Sequence, residues 1–158
     1  MEITSHFTKE EFERSGSAIR NGIDNTIKEK GVLNNIKALC ENVLEPVRVG
    51  IGVPIIISSG YRSKQLNRAI NGATNSQHCK GEAADIYIKN EGRKGLQKIL
   101  KYIIDNDIIF DQLIWEYNSW IHVSYKRTGV NRNQILTCYK SNKYTEVSKE
   151  YCKVVLLS

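Results

Sequence analysis

The chain has 158 residues, about one domain, with 41% hydrophobic and 25% charged residues, the balance of a globular protein that buries a core. No run of about eighteen apolar residues is present, which excludes a transmembrane helix. The net charge of +6 suits either simple solubility or attraction to a polyanion such as nucleic acid or an acidic wall polymer. Its Lys and Arg residues are scattered, with no basic stripe interleaved with aromatics, which argues against a nucleic-acid binder.

The first residues, Met1-Glu2-Ile3-Thr4-Ser5-His6, lack the basic-then-apolar pattern of a secretory leader, so the expectation is a chain made in the cytoplasm. Thr8 followed three residues later by Glu11 is a capping box, placing a short helix from about Lys9. Gly16, Gly22 and Asp24-Asn25 then read as a loop. Val32, Leu33, Ile36, Leu39, Cys40, Val43, Leu44 and Val47 recur at helical spacing, predicting an amphipathic helix over about 32–47. Pro46 is expected to distort its last turn, and Gly50 and Gly52 to stop it.

The β-branched run from Val53 to Ser59 reads as a buried strand. Ser63 is placed to cap a helix over about 64–70. Asn71-Gly72 is a turn, and Ala84 to Ile88 is a second strand. Leu96, Ile99, Leu100 and Ile103 mark another packed helix, followed by a strand over 108–116. Tyr117-Asn118-Ser119 is a turn into a strand over 120–125. Gln134 to Tyr139 is a further candidate strand, and the last twenty or so residues are ambiguous. The four cysteines, at 40, 79, 138 and 152, form no CxxC, which argues against a zinc ribbon or a redox motif. Cys40 reads as a buried thiol. Cys79 is expected to point away from its neighbour His78. A Cys138–Cys152 disulfide is compatible with the spacing, but free thiols are expected without a leader.

The stretch Ser76-Gln77-His78-Cys79-Lys80-Gly81-Glu82-Ala83-Ala84-Asp85 carries an imidazole in a polar loop and a carboxylate at the start of a strand. A second imidazole, His122, lies in the strand-like run Trp120 to Tyr125. Two histidines and one aspartate form a three-ligand zinc set whose fourth tetrahedral position is left for water, the signature of a catalytic rather than a structural ion. A lone histidine near a strand is usually just a satisfied polar residue, so the weight falls on the combination.

Strand alternation adds to it. A three-residue turn at 117–119 pairs Glu116 with Trp120, Trp115 with Ile121 and Ile114 with His122. Leu113, Trp115, Ile121 and Val123 then share an apolar face. Glu116 falls on the opposite face, diagonal to His122 at a Cα separation of roughly 7–8 Å. Asp85 emerges on a functional face of its own strand, while Ala84, Ile86 and Ile88 turn toward the core.

The pattern Ser-Gln-His-x-x-Gly-x-Ala-x-Asp resembles the zinc-dependent D-Ala-D-Ala carboxypeptidase family. It is preceded by Ser59-Gly60-Tyr61-Arg62-Ser63 and followed by Trp120-Ile121-His122-Val123-Ser124. Within that family it is similar to the phage and prophage peptidoglycan endopeptidases, the M15 peptidases. The resemblance runs to about Tyr125. It implies a single α+β domain over residues 1–158 of the DD-peptidase and Hedgehog type, an antiparallel sheet with helices packed on one side. Residues 127–158 are a C-terminal segment outside the resemblance.

The resemblance also implies one Zn2+ ion held by His78, Asp85 and His122, and a substrate-polarising Arg62. The implied substrate is the stem peptide of bacterial peptidoglycan, with no nucleic-acid or membrane partner. A monomer that reaches the cell wall by phage-type or other delivery is expected. Several family members place a catalytic Glu three residues before the last His; here that position is Ser119. Glu116 takes the role of general base on the register argument, with Asp111 and Glu82 behind it. Tyr61, Gln77 and Trp120 are expected to line the peptide groove. The alternative is a non-catalytic zinc module that binds the cell wall or a protein.

Overall fold

The computed structural model describes residues 1–158. A small ribbon of β1 (Glu2–Thr4) and β2 (Phe7–Thr8) leads into α1 (Lys9–Glu13). The capping box forms as expected: the Glu11 carboxylate accepts from the Thr8 backbone N–H at 2.7 Å. His6 docks the ribbon onto the rod that follows, donating its backbone N–H to Glu45 at 2.7 Å, with Nδ1 2.8 Å from the same carboxylate. The stretch read as a loop contains one more helix, α2 (Gly16–Arg20), because Ser15 caps it by accepting from the Ala18 N–H at 3.1 Å.

The long periodic segment forms a continuous rod. α3 (Lys30–Leu39) passes through a wide π-type stretch at Cys40–Leu44 into α4 (Glu45–Ile51). Pro46 lies two residues past the end of the widened stretch, in the first turn of α4, where the wider spacing gives its ring room and absorbs its missing N–H. The helix therefore runs past Gly50, and Gly52, at φ 71°, ends it in the left-handed conformation.

β3 (Ile56–Ser59) is followed by α5 (Lys64–Ala69), capped by the Ser63 hydroxyl as expected, at 3.2 Å from the Leu66 N–H. β4 (Ala83–Tyr87), α6 (Gly92–Asp105), β5 (Gln112–Glu116) and β6 (Trp120–Ser124) come next, then β7 (Gln134–Lys140), β8 (Lys143–Val147) and α7 (Lys149–Tyr151), which continues into a turn at Cys152–Leu156.

The main sheet has six strands in the order β3-β4-β6-β5-β7-β8. All neighbours are antiparallel except β5 and β7, which run parallel. This pair refines the expectation of a wholly antiparallel sheet. The loop after β6 turns the chain back on itself, so β7 runs in the direction of β5. One edge of β6 is already taken by β4 and the other by β5, so the free edge of β5 is where β7 pairs.

One face of this sheet is apolar and covered. Ala84, Ile86, Leu113, Trp115, Ile121, Val123 and Ile135 pack against Ile36, Leu39, Val43 and Val47 of the rod and Leu96, Ile99, Leu100 and Ile103 of α6. The helices therefore lie on one side, and the other face of the sheet is free to carry chemistry. No helix is long and apolar enough to cross a membrane.

Candidate metal centre

Two strands and one turn bring the donors together, and a third strand flanks them. Asp85 on β4 and His122 on β6 are direct cross-strand partners, and β5 places Ile114 opposite His122 with Glu116 opposite Trp120. The hairpin register read from the alternation is the one formed. His78 arrives on a 3₁₀ turn, Gln77–Lys80, whose start is held by the Ser76 hydroxyl accepting from the His78 N–H at 3.3 Å. Gly81 ends that turn at φ 72°, and a Cβ there would lie 2.6 Å from the Val32 carbonyl oxygen. A larger residue would push the turn off α3.

His78 Nε2 lies 3.2 Å from His122 Nδ1 and 3.3 Å from Asp85 Oδ1, while His122 Nδ1 lies 3.0 Å from the same carboxylate oxygen. All three side chains are buried. Zinc–ligand bonds of about 2.0–2.1 Å require tetrahedral donor–donor edges of about 3.3 Å. The triangle of donors therefore fits such an ion, and two nitrogens with one oxygen are a donor set zinc accepts. The other nitrogen of His78, Nδ1, donates to the Gly60 carbonyl at 2.7 Å, which leaves Nε2 unprotonated toward the cluster.

In the metal-free protein the buried groups shift one another. Burial pushes the His78 imidazole below its usual range, against the pull of Asp85. Burial by itself would raise the Asp85 carboxyl, but the His78 and His122 imidazoles outweigh it and hold the group well below the carboxylate range. Arg62 stands on the far side of Asp85, with Nη2 3.5 Å from Oδ2 and Nε donating to the Ser59 hydroxyl at 3.3 Å. A guanidinium has five N–H donors, so others remain for a ligand. Glu116 faces the same space. Burial first, and then the Asp85 carboxylate, push it above the usual range, against His122 and Arg62.

A family model for peptidase M15 matches residues 5–124 of the chain. The chain belongs to the peptidase M15 family. Membership makes this M15 protein a metallopeptidase of a zinc-dependent family, and its His78–Asp85–His122 cluster is the group of side chains that can hold the metal. The match spans the three donors, Arg62 and Glu116, and ends on the last residue of β6. No curated protein matches the chain.

The donors of this M15 peptidase sit in a cleft of about 690 Å³, lined also by Arg62, Glu116 and Trp120. A larger cavity of about 850 Å³ adjoins it, but contains none of the donors, so the chemistry assigns the site to the smaller space. Cys79 borders the larger cavity and stands outside the donor cluster. Trp120 lies beside Glu116 on the cleft lining, and its buried indole N–H is turned to that carboxylate, whose ionised form it favours.

Of the other two residues expected in the groove, Gln77 lines it and Tyr61 does not. Gln77 reaches the cleft wall, but its amide already donates to Asp111 at 3.0 Å and lies 3.2 Å from Glu82. Tyr61 lines a separate depression with Arg14 and Ser17, outside the metal cleft. Of the carboxylates behind Glu116, Glu82 borders the larger cavity. Asp111 is fully buried and committed: it accepts from Arg132 Nε at 3.0 Å, Arg132 Nη2 at 2.7 Å and the Arg132 backbone N–H at 3.1 Å.

Asn25 is a positioning residue that the sequence reading passed over as a loop marker. Its amide donates to the Glu13 and Tyr61 carbonyls, both at 2.9 Å, and its oxygen accepts from the Ser63 N–H at 2.8 Å, clamping the segment that carries Arg62. A buried asparagine between two loops leaves no periodic mark in a sequence. Gln134, Leu136, Asn142 and Tyr144 of the C-terminal hairpin also border the cleft, and no motif signals them.

Proposed function

We propose that this M15 peptidase hydrolyses a peptide bond in the stem peptides of bacterial peptidoglycan, as a D-Ala-D-Ala carboxypeptidase or an endolysin-type endopeptidase. The observation that carries the reading is the convergence of His78 Nε2, His122 Nδ1 and Asp85 Oδ1 beside Glu116 and Arg62 in one cleft. The cell-wall substrate is supported by the likeness of the Ser-Gln-His-x-x-Gly-x-Ala-x-Asp and Trp-Ile-His segments to wall peptidases.

His78, Asp85 and His122 would hold zinc, which supplies a Lewis acid and lowers the pKa of water toward about 7. Glu116 accepts the proton of the attacking water as its oxygen bonds to the amide carbon. It then delivers that proton to the departing amine nitrogen as the C–N bond breaks. Arg62, fixed by Ser59 and Asp85, presents a cation to the carbonyl oxygen as it gains negative charge.

Incubation with purified peptidoglycan, with and without a chelator, tests the reading. Chelator-sensitive release of peptide fragments is expected, and their masses identify the bond. Retention of zinc without any release would turn the protein into a wall- or protein-binding module.

A further inference from the structure

The β7–β8 hairpin lies beyond the residues matched by the M15 family, yet it walls the metal cleft. Register fixes which of its side chains face inward. Asp85, His122, Ile114 and Leu136 form one cross-strand row on the open face, and Glu116, Cys138 and Tyr144 form the next. Neighbouring strands lie about 4.8 Å apart, so Ile114 is one step and Leu136 two steps, about 10 Å, from His122. Consecutive Cα atoms of a peptide are about 3.8 Å apart, so a side chain resting there belongs to a residue within about three of the bond cut.

Ile114 is 5% exposed and forms a floor; Tyr144 is 50% exposed and stands as a rim. Three of the polar groups around them are engaged with one another. Gln112 donates to Gln134 at 2.8 Å, and Gln134 donates to Glu146 at 3.3 Å. Ile114, Leu136 and Tyr144 give this part of the cleft an aliphatic and aromatic surface, with the Asn142 side chain also on the cleft lining. The wall is also tied to the metal turn, since buried Asp111 holds both Arg132, just before β7, and Gln77, next to His78.

We infer that Ile114, Leu136 and Tyr144 form a specificity subsite for an aliphatic side chain of the peptide substrate, supplied by this chain's own C-terminal hairpin. The inference rests on the peptidase reading above for the nature of the ligand. Tyr144 and Leu136 act on substrate choice and leave proton transfer to Glu116.

The test uses synthetic stem pentapeptides in which each residue in turn is glycine, alanine or leucine. The full-length protein should discriminate about tenfold in kcat/KM against glycine at one position near the bond cut. Leu136→Ser and Tyr144→Ala should each erase most of that preference while kcat on the glycine peptide stays within about twofold. Circular dichroism and zinc content check that both variants fold. In parallel, binding of the preferred peptide to Glu116→Gln protein should weaken about tenfold when Leu136→Ser is added. Unchanged discrimination in both variants, with hydrolysis intact, overturns the subsite and leaves the enzyme reading standing. Losses confined to substrates that carry the disaccharide also overturn it, since the occupant is then a sugar. If no peptide is cleaved but peptide binding still depends on Leu136, the subsite stands and the hydrolase reading falls.

Discussion

His78 Nδ1 donates to the Gly60 carbonyl at 2.7 Å, and this one bond decides which imidazole nitrogen faces Asp85 and His122. A carbonyl can only accept, so Nδ1 carries the proton and Nε2 keeps its lone pair for the metal. The Gly-Tyr-Arg segment thus serves the site twice, through a backbone oxygen at Gly60 and a side chain at Arg62. Gly60 is packed so tightly that a Cβ would lie 2.7 Å from Phe12 Cα. Gly60→Ala should shift the carbonyl and weaken zinc binding by about 10- to 100-fold. Competition against a chromophoric chelator measures it, and an unchanged affinity would remove this carbonyl from the account.

Glu116→Gln keeps the shape of the side chain but cannot take a proton. Turnover should fall by about 10²- to 10⁴-fold with zinc stoichiometry unchanged. Steady-state rates on the peptide identified from peptidoglycan digestion, paired with metal analysis, check this. A fully active variant would move the proton transfer to another group.

Glu116 should also report on the ion directly. In metal-free protein, burial and the Asp85 charge favour its neutral form, so it should titrate above an ordinary glutamate. A cation bound beside it favours the ionised form, so adding zinc should lower that titration. Carbon-13 NMR of the side-chain carboxyl against pH follows both. A titration that does not move on zinc addition would place the ion away from Glu116.

Asp111 should matter for stability rather than chemistry. Burial pushes its carboxyl up, but the Arg132 hydrogen bonds outweigh that and hold it down at about 2. A lowered folded-state value means that the stabilisation is complete above the unfolded value near 4 and fades as pH falls toward 2. Asp111→Asn should therefore cost about 1–3 kcal/mol at pH 7, with the gap to the parent narrowing in acid. Urea unfolding at pH 7 and at pH 2.5 checks both halves, and an equal gap at the two values would show that its charge is not what stabilises.

Much of this was legible in the residues. The Thr8–Glu11 box, the Ser63 cap and the period of Val32 to Val47 each depend on neighbours a few positions away, and each formed. The β5–β6 register was readable because a slip of one residue would turn Trp115 and Ile121 out into water. The commitment of Gln77 and Asp111 to each other was not readable, since a free glutamine and a tethered one are written alike.

By itself, then, the sequence determined the elements whose pairing is local, because alternation and turn chemistry act over short stretches of chain, and its motifs pointed to His78, Asp85 and His122 as candidate ligands. The tertiary structure alone decided that β7 lies parallel to β5, that Leu136 and Tyr144 wall the cleft, and that Asp111 is an anchor instead of a base. Those outcomes depend on which sheet edge is still free and which buried charge finds a partner. Both are contests between segments far apart in the chain, and no local pattern records the winner.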